Sequence, residues 1–359
     1  MRRMSERYIL ISAIAVLLAA CSGADETIRD DGSADPTDLI SYTVETSQTR
    51  SAVIKGTQFP TNQSFRVWAF VAGSSTPLID GDIVSCTDGS SWATQSKYYW
   101  PKGDTKITFY ALYPTVFSIN KEIKRFTYTV PTAVESQSDI LYDMVMASKT
   151  DDGVSHNPIK RYAVPLTLRH ALTQIAFKGR VSTNNMDWTV SVTDIKVCNV
   201  MGTGTFDLTT GMWSSLSGTN EFKVGLSSSP VTFASSTSKA TDLTASDGVL
   251  LLIPQTLLPW DLKDNVAKTS GSYLAITCHI KEGDTDLIGT ATTPTTVYIP
   301  FDSGSSSWKR GNRYTYTLEF GTGYSADGQN QFRVLIVDSE ITDWVDGEGG
   351  DIGAKMTQE

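Results

Sequence analysis

Ile40-Ser41-Tyr42-Thr43-Val44-Glu45 is the stretch that decides the fold class of this chain. Large apolar residues at 40, 42 and 44 alternate with polar ones, and a period of two puts every apolar side chain on one face of an extended segment. The pattern recurs downstream. Phe65 to Val71 is an apolar or alternating element, and Phe109, Ala111 and Tyr113 form another. Phe126, Tyr128 and Val130 follow, then Val164, Leu166 and Leu168. Trp188, Val190 and Val192 give way to Ile195 and Val197 in the opposite phase, which predicts a β-bulge between them. Val249 to Ile253 is apolar on both faces, as in a strand covered from both sides. Val297, Ile299 and Phe301, then Tyr314, Tyr316, Leu318 and Phe320, then Phe332, Val334 and Ile336 complete the set. Beyond residue 20 no segment keeps the helical apolar period, and Gly, Ser, Asp and Pro divide the strands. The chain is expected to be all-β, built as β-sandwiches.

Ahead of the first strand, an apolar run from Tyr8 to Ala20 follows Arg2, Arg3 and Arg7 and closes on Leu18-Ala19-Ala20-Cys21. It is too short to span a bilayer and has the charged head and small-residue exit of a cleavable secretory leader. Leucine, two alanines and a cysteine resemble the lipobox of bacterial lipoproteins, in which the cysteine is acylated and the chain is cut just before it. The alternative is an ordinary secretory leader that happens to hold a cysteine. Acyl chains anchor through buried methylenes at about 0.8 kcal/mol each, and stable attachment takes more than one chain, which a triacylated Cys21 would supply. Residues 22–38 carry no large apolar side chain except Ile28 and read as a tether. A second break falls between Lys149 and Tyr162, where Thr150-Asp151-Asp152-Gly153 and Asn157-Pro158 interrupt the alternation. The expected organisation is a signal peptide over 1–20, a tether and first strand over 21–50, one β-sandwich over 51–160 and a second over 161–359 with an acidic tail.

Composition removes several function classes. The formal net charge of -9 becomes more negative once a leader holding Arg2, Arg3 and Arg7 against Glu6 is removed. No basic cluster exists to neutralise phosphates, so nucleic acid is not an expected partner, and an acidic chain is not drawn electrostatically to an anionic membrane. Cys86, Cys198 and Cys278 form no CxxC, and His156, His170 and His279 are far apart, so no zinc site, other metal site or cofactor is indicated. Cys198 and Cys278 either pair in an oxidising envelope or stay as buried thiols. Asp80-Gly81-Asp82, Asp284-Thr285-Asp286 and the Asp346 to Asp351 loop lack the ligand spacing of a calcium loop and read as turns. No nucleophile elbow, phosphate loop or His-Glu helix is present, and the chain is not expected to be an enzyme.

A set of ordered segments carries a family resemblance. In the first half they are Phe65-Arg66-Val67-Trp68-Ala69-Phe70, Tyr98-Tyr99-Trp100-Pro101, Ile107-Thr108-Phe109-Tyr110-Ala111 with Tyr113-Pro114, and Asp139-Ile140-Leu141. In the second they are Val164 to Leu172 leading to Ile175-Ala176-Phe177, Trp308-Lys309-Arg310-Gly311-Asn312-Arg313-Tyr314, and Ile341-Thr342-Asp343-Trp344. Together, beside a lipobox, these resemble the fimbrillin family, the lipoprotein pilus subunits of Gram-negative gut and oral bacteria. On their own physical terms Trp68, Trp100 and Trp308 read as packing residues and His170 as a hydrogen-bonded structural histidine. The resemblance implies two transthyretin-like β-sandwiches, export to the outer membrane and later residence in a surface fimbrium. It also implies assembly with other fimbrial subunits after an arginine-specific protease cuts behind the first strand.

The residues that fit this scheme are Ile40, Tyr42 and Val44 as the removable strand, and Arg50 followed by Ser51 as the cut. Arg29 in the tether is a competing site. Physics agrees with the scheme, since removing an edge strand exposes unpaired backbone groups and alternate side-chain pockets that a donor strand refills. The candidate donor is Ile352, Ala354 and Met356, which alternate but are interrupted by Gly353. A shaft subunit needs such a donor; a tip subunit needs only the groove. Adhesion to a host glycan or protein stays open. The alternative from another class is a monomeric glycan-binding lipoprotein using exposed aromatics such as Trp213 or Trp260, which would have no need of a cut at Arg50.

Overall fold

The structure is a computed structural model and describes residues 38–46, 57–149, 163–183, 187–235, 239–261, 268–301, 307–324 and 334–344. The first nine strands are β1 (Ser41–Thr46), β2 (Thr57–Gln58), β3 (Ser64–Val71), β4 (Pro77–Cys86), β5 (Trp92–Thr94), β6 (Ile107–Tyr113), β7 (Arg125–Thr129), β8 (Leu141–Ala147) and β9 (Ala163–His170). They are followed by β10 (Thr173–Val181), β11 (Trp188–Asp207), β12 (Met212–Lys223), β13 (Val231–Ala234), β14 (Thr241–Asp242) and β15 (Leu250–Leu252). The last are β16 (Tyr273–Glu282), β17 (Thr285–Ile288), β18 (Thr295–Pro300), β19 (Asn312–Tyr324) and β20 (Val334–Asp343). The protein is all-β, as the alternation requires. A 3₁₀ turn lies at Val134–Ser136.

The first sheet has eight strands in the order β2-β1-β5-β4-β3-β6-β8-β9, and β1 also pairs with β9, so the pairings return on themselves. Its inward side chains, among them Tyr42, Phe65, Val67, Phe109, Ala111, Val164 and Leu166, make one core. The outward ones, Trp68, Phe70, Tyr110, Leu112 and Tyr142, join a second, larger core with Phe126, Phe206 and the strands of the second half. Alternation of apolar residues on both faces of β3 and β6 therefore welds the two halves together. Five- and seven-stranded sheets built on β10, β19 and β11, β16 enclose that larger core. The bulge expected between Val192 and Ile195 is present as a register shift between Val192 and Asp194. Leu250, Leu251 and Leu252 are buried on both faces, as their unbroken apolar run predicts.

Strands pair across the break in alternation near residue 160. Strand β9 lies in the first sheet, parallel to β1, while β7 from the first half pairs with β11 in the second. A break in alternation marks a loop, and a loop does not say which sheet the next strand enters. Asp80-Gly81-Asp82 corrects the expectation of a turn, because it is a bulge inside β4. The register slips there, Gly81 adopts φ +70°, and a Cβ on it would stand 2.9 Å from the Trp68 indole. Glycine is what allows both the backbone angle and the close indole.

Candidate functional site

The first strand is built into the sheet on both flanks. Along one side β1 runs parallel to β9 in an unbroken register from Ser41↔Ala163 to Thr46↔Leu168. This sets Tyr42, Val44 and Thr46 beside Val164, Leu166 and Leu168. The other flank is shared. Tyr42 is in register with Trp92 of β5, Glu45 and Thr46 pair antiparallel with Gln58 and Thr57 of β2, and a bridge joins Leu39 to Tyr99. The Tyr98 to Trp100 segment serves as a rail for the entry of the strand: Ile40 N donates to Tyr98 O at 2.8 Å and Trp100 N donates to Asp38 O at 2.8 Å. Asp38 is also ion-paired with Lys149.

The removable strand was expected at an edge of the sheet, and here the structure corrects the expectation. β1 is an interior strand, so taking it away would open two backbone edges facing one another. Ile40, Tyr42 and Val44 are 1%, 3% and 7% exposed. Fully burying a side chain of this size stabilises by about 1.5–3 kcal/mol. Phe109 lies edge-on to Tyr42 with centroids 6.2 Å apart, and Phe59 packs against both Phe65 and Trp92 at 5.7 and 5.5 Å.

Strand β9, the long wall of the groove, is fixed from behind. It meets β8 only at Leu141↔His170 and Tyr142↔Arg169. Where the two strands part, the Asp143 carboxylate replaces the ladder, accepting from Thr167 N at 2.8 Å and pairing with Arg169 at 3.0 Å. Burial raises the Asp143 pKa, and the Thr167 N–H and Arg169 guanidinium act in the opposite sense. Pro165, which has no N–H, sits in the part of β9 that β8 does not reach. At the far end His170 is buried, with Nδ1 2.8 Å from Asp139 Oδ2 and its ring stacked on Trp344 at 3.8 Å. A hydrogen-bonded structural histidine fits that setting.

β1 and β2 are an antiparallel pair, and Arg50 and Ser51 fall in the stretch of sequence that joins Thr46 to Thr57. Cys21, Arg50, Ser51, Ile352, Ala354 and Met356 all lie outside the described residues. The aromatic residues nominated for a glycan are not exposed platforms. Trp260 is 2% exposed and packs on Tyr273, with the Lys268 ammonium over its face. Trp213 is half-buried among Phe126, Tyr128 and Phe206, and its Nε1 donates to Ala171 O at 2.7 Å. Trp68, Trp100 and Trp308 are core residues, as read from the sequence. Cys198 and Cys278 are free thiols in strands β11 and β16, and burial pushes each up to about 12. Among the described residues no group of His, Cys, Asp and Glu is arranged to hold a metal, and no helix is long and apolar enough to cross a membrane.

The sequence pattern of the fimbrillin-like family matches residues 49–344. The chain belongs to the fimbrillin-like family. Among solved structures, a fimbrial protein from Bacteroides vulgatus is similar at 16% identity, covering 86% of this chain and 99% of its own, with a TM-score of 0.57. A putative cell adhesion protein from Parabacteroides distasonis is similar at 10% identity, covering 86% of this chain and 97% of its own, with a TM-score of 0.50. At these identities the likeness is one of fold. A search of curated proteins finds no match. Fimbrillin-like membership gives the chain a fimbrial subunit role and a cell-surface location.

Three parts of the groove escape sequence reading. Strand β2 is too short to show a period, Trp92 in β5 stands alone in a polar stretch, and the Tyr98 to Trp100 rail pairs through backbone atoms that any residue supplies. The Trp92 side chain was the available signal, since a lone tryptophan between polar turns is seldom left in water.

Proposed function

We propose that this fimbrillin-like chain is exported as an outer-membrane lipoprotein anchored through acylated Cys21 and is then activated by an arginine-specific protease cutting between Arg50 and Ser51. The cut severs the covalent link between β1 and β2 and leaves β1 held by non-covalent contacts alone. Its departure opens a groove between β9 on one side and β5 with β2 on the other, and a donor strand from another fimbrial subunit fills it. The observation that carries this reading is the placement of β1, inserted between β9 on one flank and β5 with β2 on the other and followed in sequence by the segment that contains Arg50. Polar segments between strands are favoured points of proteolysis, and Thr46 to Ser51 is such a sequence. The family match adds support, because a fimbrial subunit assembles with other subunits. Ile352, Ala354 and Met356 are the candidate donor for the next subunit, which makes a shaft role the one to test and a tip role the outcome if they donate nothing.

Limited trypsin treatment followed by mass spectrometry and size-exclusion chromatography tests the proposal. The first cut is expected at Arg50, and the cut chain is expected to form oligomers while Arg50→Ala under the same treatment stays monomeric. A cut chain that stays a stable monomer, or oligomers formed equally by Arg50→Ala, would overturn it.

A further inference from the structure

A mismatch between β1 and the groove that holds it lies at position 42. The Tyr42 ring is well housed, edge-on to Phe109 and in register with Trp92 and Val164. Its hydroxyl is different. It is buried, and among the described residues it has no hydrogen-bond partner. Asp82, the carboxylate that acts on it electrostatically, is engaged by Ile83 N at 2.8 Å and Ser96 N at 3.0 Å. Burial, with Asp82 and Tyr98 adding to it, holds the phenol above its ordinary range, so the group to be housed is a neutral O–H. Such a group gives up its bonds to water and gains none in return, whereas a phenyl ring of the same shape gives up nothing. Ile40 and Val44, the other two members of the predicted removable strand, bring no side-chain polar atom into the core.

We propose that position 42 is the selectivity position of the groove, and that it takes a donor strand carrying a large apolar side chain without a hydroxyl there in preference to the resident tyrosine. The proposal rests on the strand-exchange reading and names the partner's chemistry within it. In the orientation of β1, the donor runs parallel to β9 and antiparallel to β5 and β2, the strands that supply the two open backbone edges. It brings phenylalanine or a long aliphatic residue to the Phe109 subsite. The resident strand is then the weaker occupant, and replacement runs downhill once the chain is cut.

The experiment uses the full chain cut after Arg50. Synthetic peptides spanning residues 38–48, with Tyr, Phe or Ala at position 42, compete for the groove, and mass spectrometry follows release of the resident segment. The Phe peptide is expected to bind at least about fivefold more tightly than the Tyr peptide, as one buried unpaired hydroxyl implies, and the Ala peptide more weakly than either. A chain carrying Tyr42→Phe is expected to keep its own segment at least about fivefold longer after the cut. A Tyr peptide that binds as well as the Phe peptide, or a Tyr42→Phe chain that loses its segment as fast as the unmodified one, overturns the proposal while leaving strand exchange standing. If the bond after Arg50 is cleaved and no peptide of any sequence displaces the segment, strand exchange itself is overturned.

Discussion

Truncating Ile40 to alanine weakens the hold on β1 in a way that two independent measurements can read. Ile40 is 1% exposed in the first core, and its backbone N–H bond to Tyr98 O does not depend on the side chain. The substitution therefore removes packing and leaves the rail intact. Deleting a buried isoleucine down to alanine costs about 2–5 kcal/mol, according to how far the surroundings collapse into the space. In the uncut chain that cost is expected as a lower urea midpoint with an unchanged slope. After a cut at Arg50 the same contacts hold a separate peptide, and about 2–5 kcal/mol becomes a loss of about 30-fold to several thousandfold in the affinity of the fragment. Equilibrium urea unfolding of the uncut chain, followed by fragment release from the cut chain, gives both numbers. A cost below about 0.5 kcal/mol would refute the burial of Ile40. A full cost in the uncut chain with unchanged fragment affinity would refute the idea that the cut leaves β1 held by these contacts alone.

Three other outcomes are expected. A fatty-acid analogue should label the wild type, and Cys21→Ala should lose both the label and its place in the membrane fraction. Trp344→Ala, which removes the indole stacked on His170 and buried at 2% exposure, should cost about 3–5 kcal/mol in a denaturant titration, and Trp344→Phe markedly less. Asp207 is pushed up by burial but more than offset by Arg125 and the Thr210 and Thr209 N–H groups, so its pKa lies below the ordinary value. A depressed carboxylate stabilises the fold above its unfolded pKa and loses that contribution as pH falls through its folded one, so Asp207→Asn should be less stable than wild type at pH 7, by a difference that begins to shrink as pH falls below about 4.

The strands were legible because alternation is a property of neighbouring residues. Ile40, Tyr42 and Val44 announce a half-buried strand by themselves, and the phase change after Val192 announces a bulge by itself. Which strand lies beside which is not written locally. Nothing in Ala163–His170 says that it runs parallel to a strand some 120 residues earlier, and the two meet only because Tyr42, Val44 and Thr46 find Val164, Leu166 and Leu168 at matching positions on one face. The same limit explains why β1 was expected at an edge: a period of two reports that one face is buried and is silent about the two flanks. Trp213 and Trp260 show it again, since their covering residues lie outside the local pattern, Ala171 and Phe126 for one and Tyr273 and Lys268 for the other. Gly81 was read as a turn because glycine between two aspartates usually is one; the Trp68 indole lying against it makes it a bulge.

The measurement that bears most directly on the account is the N-terminal sequence of the protein in fimbriae sheared from producing cells, compared with that of the unassembled form in the membrane fraction. The account predicts an assembled form that begins at Ser51 and lacks residues 40–46, and a membrane form that begins at an acylated Cys21. An assembled form that still begins at Cys21, or that begins at residue 30 after a cut at Arg29 and so retains β1, would contradict it.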